Sequence, residues 1–429
     1  MRTTLLSILL LASLTVAAPG AERAPSGVAA KGATRLSIGK DWPWWRGPQR
    51  NGVASADQNP PLRWSASENV KWQSEIPGKG HGTPIVVDDQ VLLATADEQR
   101  SEQSVLCYDR ETGKRRWQTV VHQGGVEVKG NKKASRASSS LACDGERLYI
   151  NFLNSGAVYT TALSRDGEKL WQTKITDYVV HQGYGSSPAV YGDLVLVSAD
   201  NKGGGAVAAL NSKTGEIVWR RERPKTPNYA SPILLHVAGR DQLLLTGCDL
   251  VTSLDPQSGE AIWEIEGSTT ECVTSTVADG DLIFTSGGYP KNHLAAVRAD
   301  GSGAIVWENK TRVYVPSILA NNGYLYAATD AGVATCWAAA TGKEVWKGRL
   351  GGTFSGSPVL VGERIYATNE SGATFVFKAT PEQFELLAEN QLGDEVYATP
   401  VVVGGELFLR AALNQGERRQ EMLYCVSGK

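Results

Sequence analysis

Seven side chains at matching places in a repeated pattern have the chemistry of a binding site: His81, Arg136, Tyr184, Tyr229, Tyr314, Phe354 and Tyr397. Most stand three or four residues ahead of the proline position of a Ser/Thr-Pro step or its variant, and Tyr314 is near the same place. In a closed ring these positions would encircle the mouth of a central channel. Aromatic faces with one imidazole and one guanidinium suit a flat anionic molecule or an extended peptide. The plainer reading is that tyrosine fills a wide channel mouth.

Residues for catalysis are harder to find. His122, His181, His236 and His293 are scattered over different segments and share no metal-ligand spacing. The patterns H-E-x-x-H, G-x-S-x-G and G-x-x-x-x-G-K-[ST] do not occur. No nucleophile, acid/base pair or metal set can therefore be nominated, and Gly203 to Gly205 reads as a loop. A net charge of -2, with 21% charged residues, offers no electrostatic footprint for nucleic acid.

The elements that must position a site are read from the tryptophans. Trp72, Trp117, Trp171, Trp219, Trp263, Trp307 and Trp346 recur at a near-regular period. Six of them follow by four residues a turn glycine: Gly113, Gly167, Gly215, Gly259, Gly303 and Gly342. Upstream of each turn lie short runs rich in Val, Leu and Ala, bounded by Gly, Asp and Asn, which read as strands. The third run leads to the glycine turn, and a further strand ends in Trp. Strand units with a fixed turn and a fixed aromatic predict a radial array of four-stranded sheets that bury their faces only against one another.

Eight copies begin at Thr83-Pro84, Ser139-Ser140, Ser186 to Pro188, Ser231-Pro232, Ser275-Thr276, Pro316-Ser317, Ser357-Pro358 and Thr399-Pro400. In the seventh, Phe384 to Leu387 replaces the Trp strand. The last copy stops after its third strand, whereas Asn69 to Ile76 is a Trp strand with nothing before it. The expectation is an all-β, single eight-bladed β-propeller of four-stranded antiparallel blades, its ring closed by the N-terminal strand. The propeller is expected over residues 69–429.

Ahead of it, residues 1–21 carry one Arg, an apolar stretch from Leu5 to Val16 and small residues, the pattern of a secretory signal peptide. That stretch is too short to remain as a membrane span. A flexible leader is expected over residues 22–40, and a Trp/Pro-rich strap over residues 41–68 packing on the propeller rim. Of the six cysteines, Cys107, Cys336 and Cys425 share a third-strand place with Ala209, Ser253 and Ala296, so they read as small buried thiols. A Cys248 to Cys272 bridge stays open.

The glycine-tryptophan turns, the eight repeats and the block DWPWWRGPQRNG (Asp41 to Gly52) together resemble the pyrroloquinoline-quinone-type repeat family across almost the whole mature chain. That resemblance implies the propeller fold and two quite different kinds of activity. The family includes quinoprotein alcohol and sugar dehydrogenases, and also the propeller subunit of the bacterial outer-membrane β-barrel assembly machinery. The dehydrogenases that the chain resembles hold the quinone and a Ca²⁺ on the axis, typically with a vicinal Cys-Cys disulfide and, in some, a haem. This chain has no adjacent cysteines and no C-x-x-C-H site, and no carboxylate-and-Asn group recurs at its blade mouths. Assembly propellers are usually anchored through an N-terminal Cys, yet no cysteine precedes Cys107, so no lipid anchor is expected.

The resulting expectation is an exported, periplasmic or secreted, non-catalytic scaffold without a cofactor, binding protein partners at the cell envelope. Two alternatives stay open. One is an oxidoreductase using pyrroloquinoline quinone (PQQ) with Ca²⁺, in which Arg136 would pair a quinone carboxylate. The other is binding of a carbohydrate or other small ligand on the same face.

Overall fold

The computed structural model describes residues 36–37, 39–126, 129–416 and 418–428. The expected signal segment, and the expected leader up to residue 35, lie outside the described residues. Short β-branched and apolar runs broken by glycine turns form eight four-stranded antiparallel sheets. Blade 1 is built of Ile85–Val87, Gln90–Asp97, Glu102–Asp109 and Arg115–Gln123. Blades 2 to 7 repeat it, starting at Ala142–Cys143, Ala189–Tyr191, Ile233–Val237, Val277–Asp279, Leu319–Asn321 and Val359–Val361. The first strands of neighbouring blades touch one another and so form the inner wall of the ring.

Blade 8 takes Val401–Val403, Glu406–Gln415 and Arg418–Val426 from the C-terminal end and Val70–Ile76 from the N-terminal side. Trp72 pairs with Cys425 and Ile76 with Glu421 in that antiparallel ladder. The eight blades and the closing strand are as the repeat predicts.

The tryptophan sits near the start of the outer strand instead of ending it, for example at the third position of Ile217–Arg223. A register shift just before it recurs in all seven blades that carry the tryptophan. Directly opposite stands a small residue: Cys107 faces Trp117, Ala209 faces Trp219, Cys336 faces Trp346 and Cys425 faces Trp72. That is why Cys, Ala and Ser interchange there. All six cysteines are buried free thiols, and Cys248 and Cys272 hydrogen-bond separately to Thr226 and Thr269 carbonyls rather than to each other.

Glycine and tryptophan of one motif serve different neighbours. Gly215 has φ +75°, and a Cβ there would meet the Trp171 ring of the preceding blade at 2.6 Å. The Trp171 Nε1 donates to the Ser212 carbonyl of the same turn at 3.0 Å. The same cap recurs where Trp117 donates to the Arg165 carbonyl, Trp219 to the Pro256 carbonyl, Trp307 to the Ala339 carbonyl and Trp346 to the Thr380 carbonyl, so these blades cap the turn of the next. Blade 7 departs from the pattern in an informative way. Its outer strand is Leu386–Gln391, with Ala388 in the tryptophan place, and the residue opposite grows to Val376. Phe384 lies before that strand and rests on Trp346, 5.7 Å between ring centroids.

Candidate functional site

The second half of the strap packs on blade 7, where Asn59 accepts from Arg364, Trp64 stacks on Tyr366 and the Trp64 amide donates to Asn390 of the outer strand, but its first half does not lie on the rim as expected. It enters the axis from the end carrying the short turns, where Asp41 accepts from the Asp88 amide and Trp42 exchanges backbone hydrogen bonds with Val86. Beyond it the Pro43 carbonyl accepts from Cys143, Arg50 donates to the Val190 carbonyl at 2.6 Å, and Arg46 donates to the carbonyls of Ile318 and Pro358 at 2.6 and 3.1 Å. Both guanidinium groups are buried, which pulls their pKa values down to about 9. They remain charged at neutral pH, Arg50 lying over the Trp44 ring at 4.1 Å. Carbonyls of inner strands explain the location: their unpaired oxygens on the axis need donors, and the strap supplies them. Of the expected leader, Leu36 packs partly buried against blades 1 and 2.

Above the plug the channel opens as a cavity of about 470 Å³, with Trp45 in its floor. The floor is a belt of hydroxyls at the starts of the eight repeats. The Thr83 amide donates to Ser140 Oγ, Ser140 to Ser187, and Ser187 to Ser231, at 2.9 to 3.0 Å. The pattern resumes from Ser275 to Ser317, Ser357, Thr399 and back to Thr83. Ser275 Oγ accepts instead from Trp45 Nε1 at 2.7 Å, which ties plug to belt. Six belt residues border the cavity. The Ser/Thr at each repeat start carries the belt, although the sequence alone marks it only as punctuation before a strand.

The walls hold five of the seven side chains singled out above: His81, Tyr184, Tyr229, Tyr314 and Tyr397. His81 stacks on Tyr397 with ring centroids 4.2 Å apart. Tyr184 is tilted toward its own blade, its hydroxyl donating to the Ser198 carbonyl at 2.9 Å. Burial pushes the Tyr314 phenol up to about 12 and Tyr229 further, with the nearby Glu271 carboxylate adding to both. Neither ionises near neutral pH.

Two side chains belong elsewhere. Phe354 is 1% exposed, packed on Phe375 in the core between blades 6 and 7. In an extended segment successive side chains point to opposite sides, so Ser355 faces the axis and the apolar ring gains burial. Arg136 turns outward, its Nε 3.4 Å from Glu98 and its Nη1 donating to the Lys129 carbonyl at 3.1 Å. A guanidinium in a cavity without carboxylates would forfeit hydration for nothing.

Comparisons with known proteins bear on the fold and the family. A family model described as "Outer membrane protein assembly factor BamB" matches residues 49–178, 101–321 and 290–383. The chain belongs to this family. The outer membrane protein assembly factor BamB of Burkholderia pseudomallei is 26% identical over 359 residues, 78% of this chain and 84% of that one. The crystal structure of BamB from Moraxella catarrhalis superposes with a TM-score of 0.59 at 15% identity, covering 82% of this chain and 96% of that one. A quinohemoprotein alcohol dehydrogenase from Comamonas testosteroni superposes with a TM-score of 0.65 at 14% identity, covering 92% and 82%. At these identities the superpositions show a shared fold.

The lining does not suit a quinone with Ca²⁺. The residues bordering the cavity include no carboxylate, whereas Ca²⁺ needs about six to eight oxygens, with carboxylates foremost. Among the described residues no three His, Cys, Asp or Glu side chains gather as a metal site. The one lysine on the lining, Lys133, is bound to Glu370 at 2.8 Å, and Arg136 is turned away.

The buried imidazoles set a pH response. Burial, with Lys79, Arg410 and Arg419 nearby, holds His81 well below its ordinary value. Burial and Lys169 lower His122 to about 4, and burial lowers His293. The unfolded chain takes these protons near pH 6.5, but the native state does not. Stability from these groups is therefore complete above about pH 6.5 and is lost as pH falls below it, for His122 down to about pH 4. Denaturant midpoints should be level between about pH 7 and 8 and decline from about 6.5. His122→Gln should flatten part of that decline, and an unaltered slope would contradict the assignment.

Proposed function

We propose that this protein is an exported, non-catalytic propeller scaffold that binds protein partners during outer-membrane protein assembly in the cell envelope, using the face onto which the cavity opens. The observation that carries the reading is the chemistry of that face and its cavity. The lining is phenol, imidazole, amide and hydroxyl, with no carboxylate and with its lysine already paired. Around it rise the longer connections, where Val179 and Tyr289 are each 53% exposed. Ion pairs hold neighbouring segments in place, among them Lys133 with Glu370 and Arg419 with Glu395. Isolated apolar side chains on a framework of paired charges suit a partner interface with a polar rim. The assembly factor from Burkholderia pseudomallei, matched over most of both chains, points the same way.

The test is capture of the outer-membrane protein assembly complex from detergent extracts of the source cells. The wild type should retain it, and a Val179→Asp, Tyr289→Ala variant should retain about tenfold less or worse. The reading fails if the wild type retains none of the complex, or if it oxidises alcohols in a dye-linked assay once given PQQ and Ca²⁺.

A further inference from the structure

We propose that the central cavity binds a neutral pyranose sugar, seated against Tyr229, Tyr314 and Tyr397 above the hydroxyl belt. This goes beyond the scaffold reading and does not depend on which protein the loops hold. A volume of about 470 Å³ lies within the common range for small-molecule sites, roughly 300 to 1,000 Å³. It is roomy for a single ring and adequate for two.

The floor supplies the first specificity. Each belt hydroxyl from Thr83 through Ser231, and from Ser317 to Thr399, accepts a backbone N–H or stands in line with one that does. A hydroxyl has one proton and two lone pairs, so this use of a lone pair leaves the proton to donate. The result is a ring of fixed oxygens whose donors can turn toward the axis. Sugar hydroxyls accept such bonds and can return them.

The walls supply the second. The electron-rich faces of tyrosines attract the weakly positive C–H edges of a saturated ring, as they do other polarised edges. His81 Nε2 on the wall is buried without a hydrogen-bond partner among the described residues, and Tyr229 Oη has only the Gln182 backbone beside it. Buried polar groups ordinarily have partners, so such atoms mark where a ligand or water belongs.

Charge decides between a sugar and an ionised ligand. Cations lie on the His81 side, Lys79, Arg410 and Arg419, and Glu271 acts on Tyr229 and Tyr314 across the cavity. On the lining itself the lysine is neutralised by Glu370 and there is no carboxylate. A desolvated anion or cation would find no full counter-charge there, and a neutral polyol needs none.

Saturation-transfer difference NMR on the mature chain with maltose and with N-acetylglucosamine tests the proposal, followed by titration calorimetry on whichever responds. The sugar should receive saturation, and its affinity should fall about tenfold or more in Tyr229→Ala and Tyr314→Ala. Tyr229→Phe keeps the ring and loses the hydroxyl, so it should fall between the wild type and Tyr229→Ala, with melting curves confirming that all three fold. No transfer to either sugar overturns the proposal. So does binding that the tyrosine variants leave unchanged, or a response to N-acetyltyrosine amide with none to sugars, which would make the cavity a socket for a partner's side chain. Capture of the assembly complex by the same variants reads the scaffold function separately.

Discussion

A chain that stops before Arg418 should fail to fold, even though it retains all of blades 1 to 7. The strand removed, Arg418–Val426, is the third of blade 8 and pairs on one side with Glu406–Gln415 and on the other with Val70–Ile76. Its last six residues are buried. Without it Val70–Ile76 has no ladder, Trp72 loses Cys425 opposite, and the ring gains two open sheet edges. The damage spreads because the Trp72 ring also covers Gly113 of blade 1, and its Nε1 donates to the Arg110 carbonyl at 2.8 Å. A milder version isolates that joint: Trp72→Ala should cost about 3 to 5 kcal/mol, as for other large buried aromatics. Near-UV circular dichroism and thermal melting of both proteins provide the check. A truncated chain with native dichroism and an unchanged melting temperature would show that the blades are stable alone and the clasp incidental.

The propeller is legible in the sequence because its cement is local and repeated. A turn glycine and a tryptophan four residues later sit within one segment, so each copy announces itself, and copies at a steady spacing imply neighbours that cover one another. The small residue opposite each tryptophan was visible too, since Cys107 and Ala209 fill one repeat position. The site was read less evenly. His81, Tyr229, Tyr314 and Tyr397 border the axis, but Phe354 sits one residue out of phase with Ser355, and in extended chain one residue decides between the core and the channel. The repeat position of Arg136 points to the axis, but its guanidinium follows the Glu98 carboxylate instead. The strap was unreadable in another sense. Arg46 meets Pro358 across 312 residues, a pairing that no periodicity signals. The belt was hidden because serine and threonine before proline look like ordinary turn chemistry until the ring lines them up.

The site also depends on charge buried in its wall. Arg223 and Asp200, each with side chains 1% exposed, meet at 3.0 Å from Nε to Oδ1 and 3.3 Å from Nη2 to Oδ2. Arg223 Nη1 donates to Thr252 of the next blade, and Asn228 donates to both Asp200 and the Thr246 carbonyl. Asn228 then accepts from the Cys272 amide at 2.9 Å, and its neighbour in the chain is Tyr229 of the cavity wall. Arg223→Met would leave a carboxylate in the interior without its cation, at a cost of about 3 to 5 kcal/mol. Asp200→Leu strands the guanidinium and should cost about as much. Combining them removes both charges, and apolar replacements of a buried pair are often close to neutral, so the double variant should be more stable than either single one. If each single variant costs only about 1 kcal/mol, the pair behaves like a surface ion pair and the wall does not rest on it. Stability and binding should then part company in the double variant. Its melting temperature recovers, but Asn228 has lost an acceptor, so Tyr229 is held less firmly and ligand affinity at the cavity stays reduced. The pair thereby acts as a positioning device for the aromatic wall, separable from its contribution to the fold.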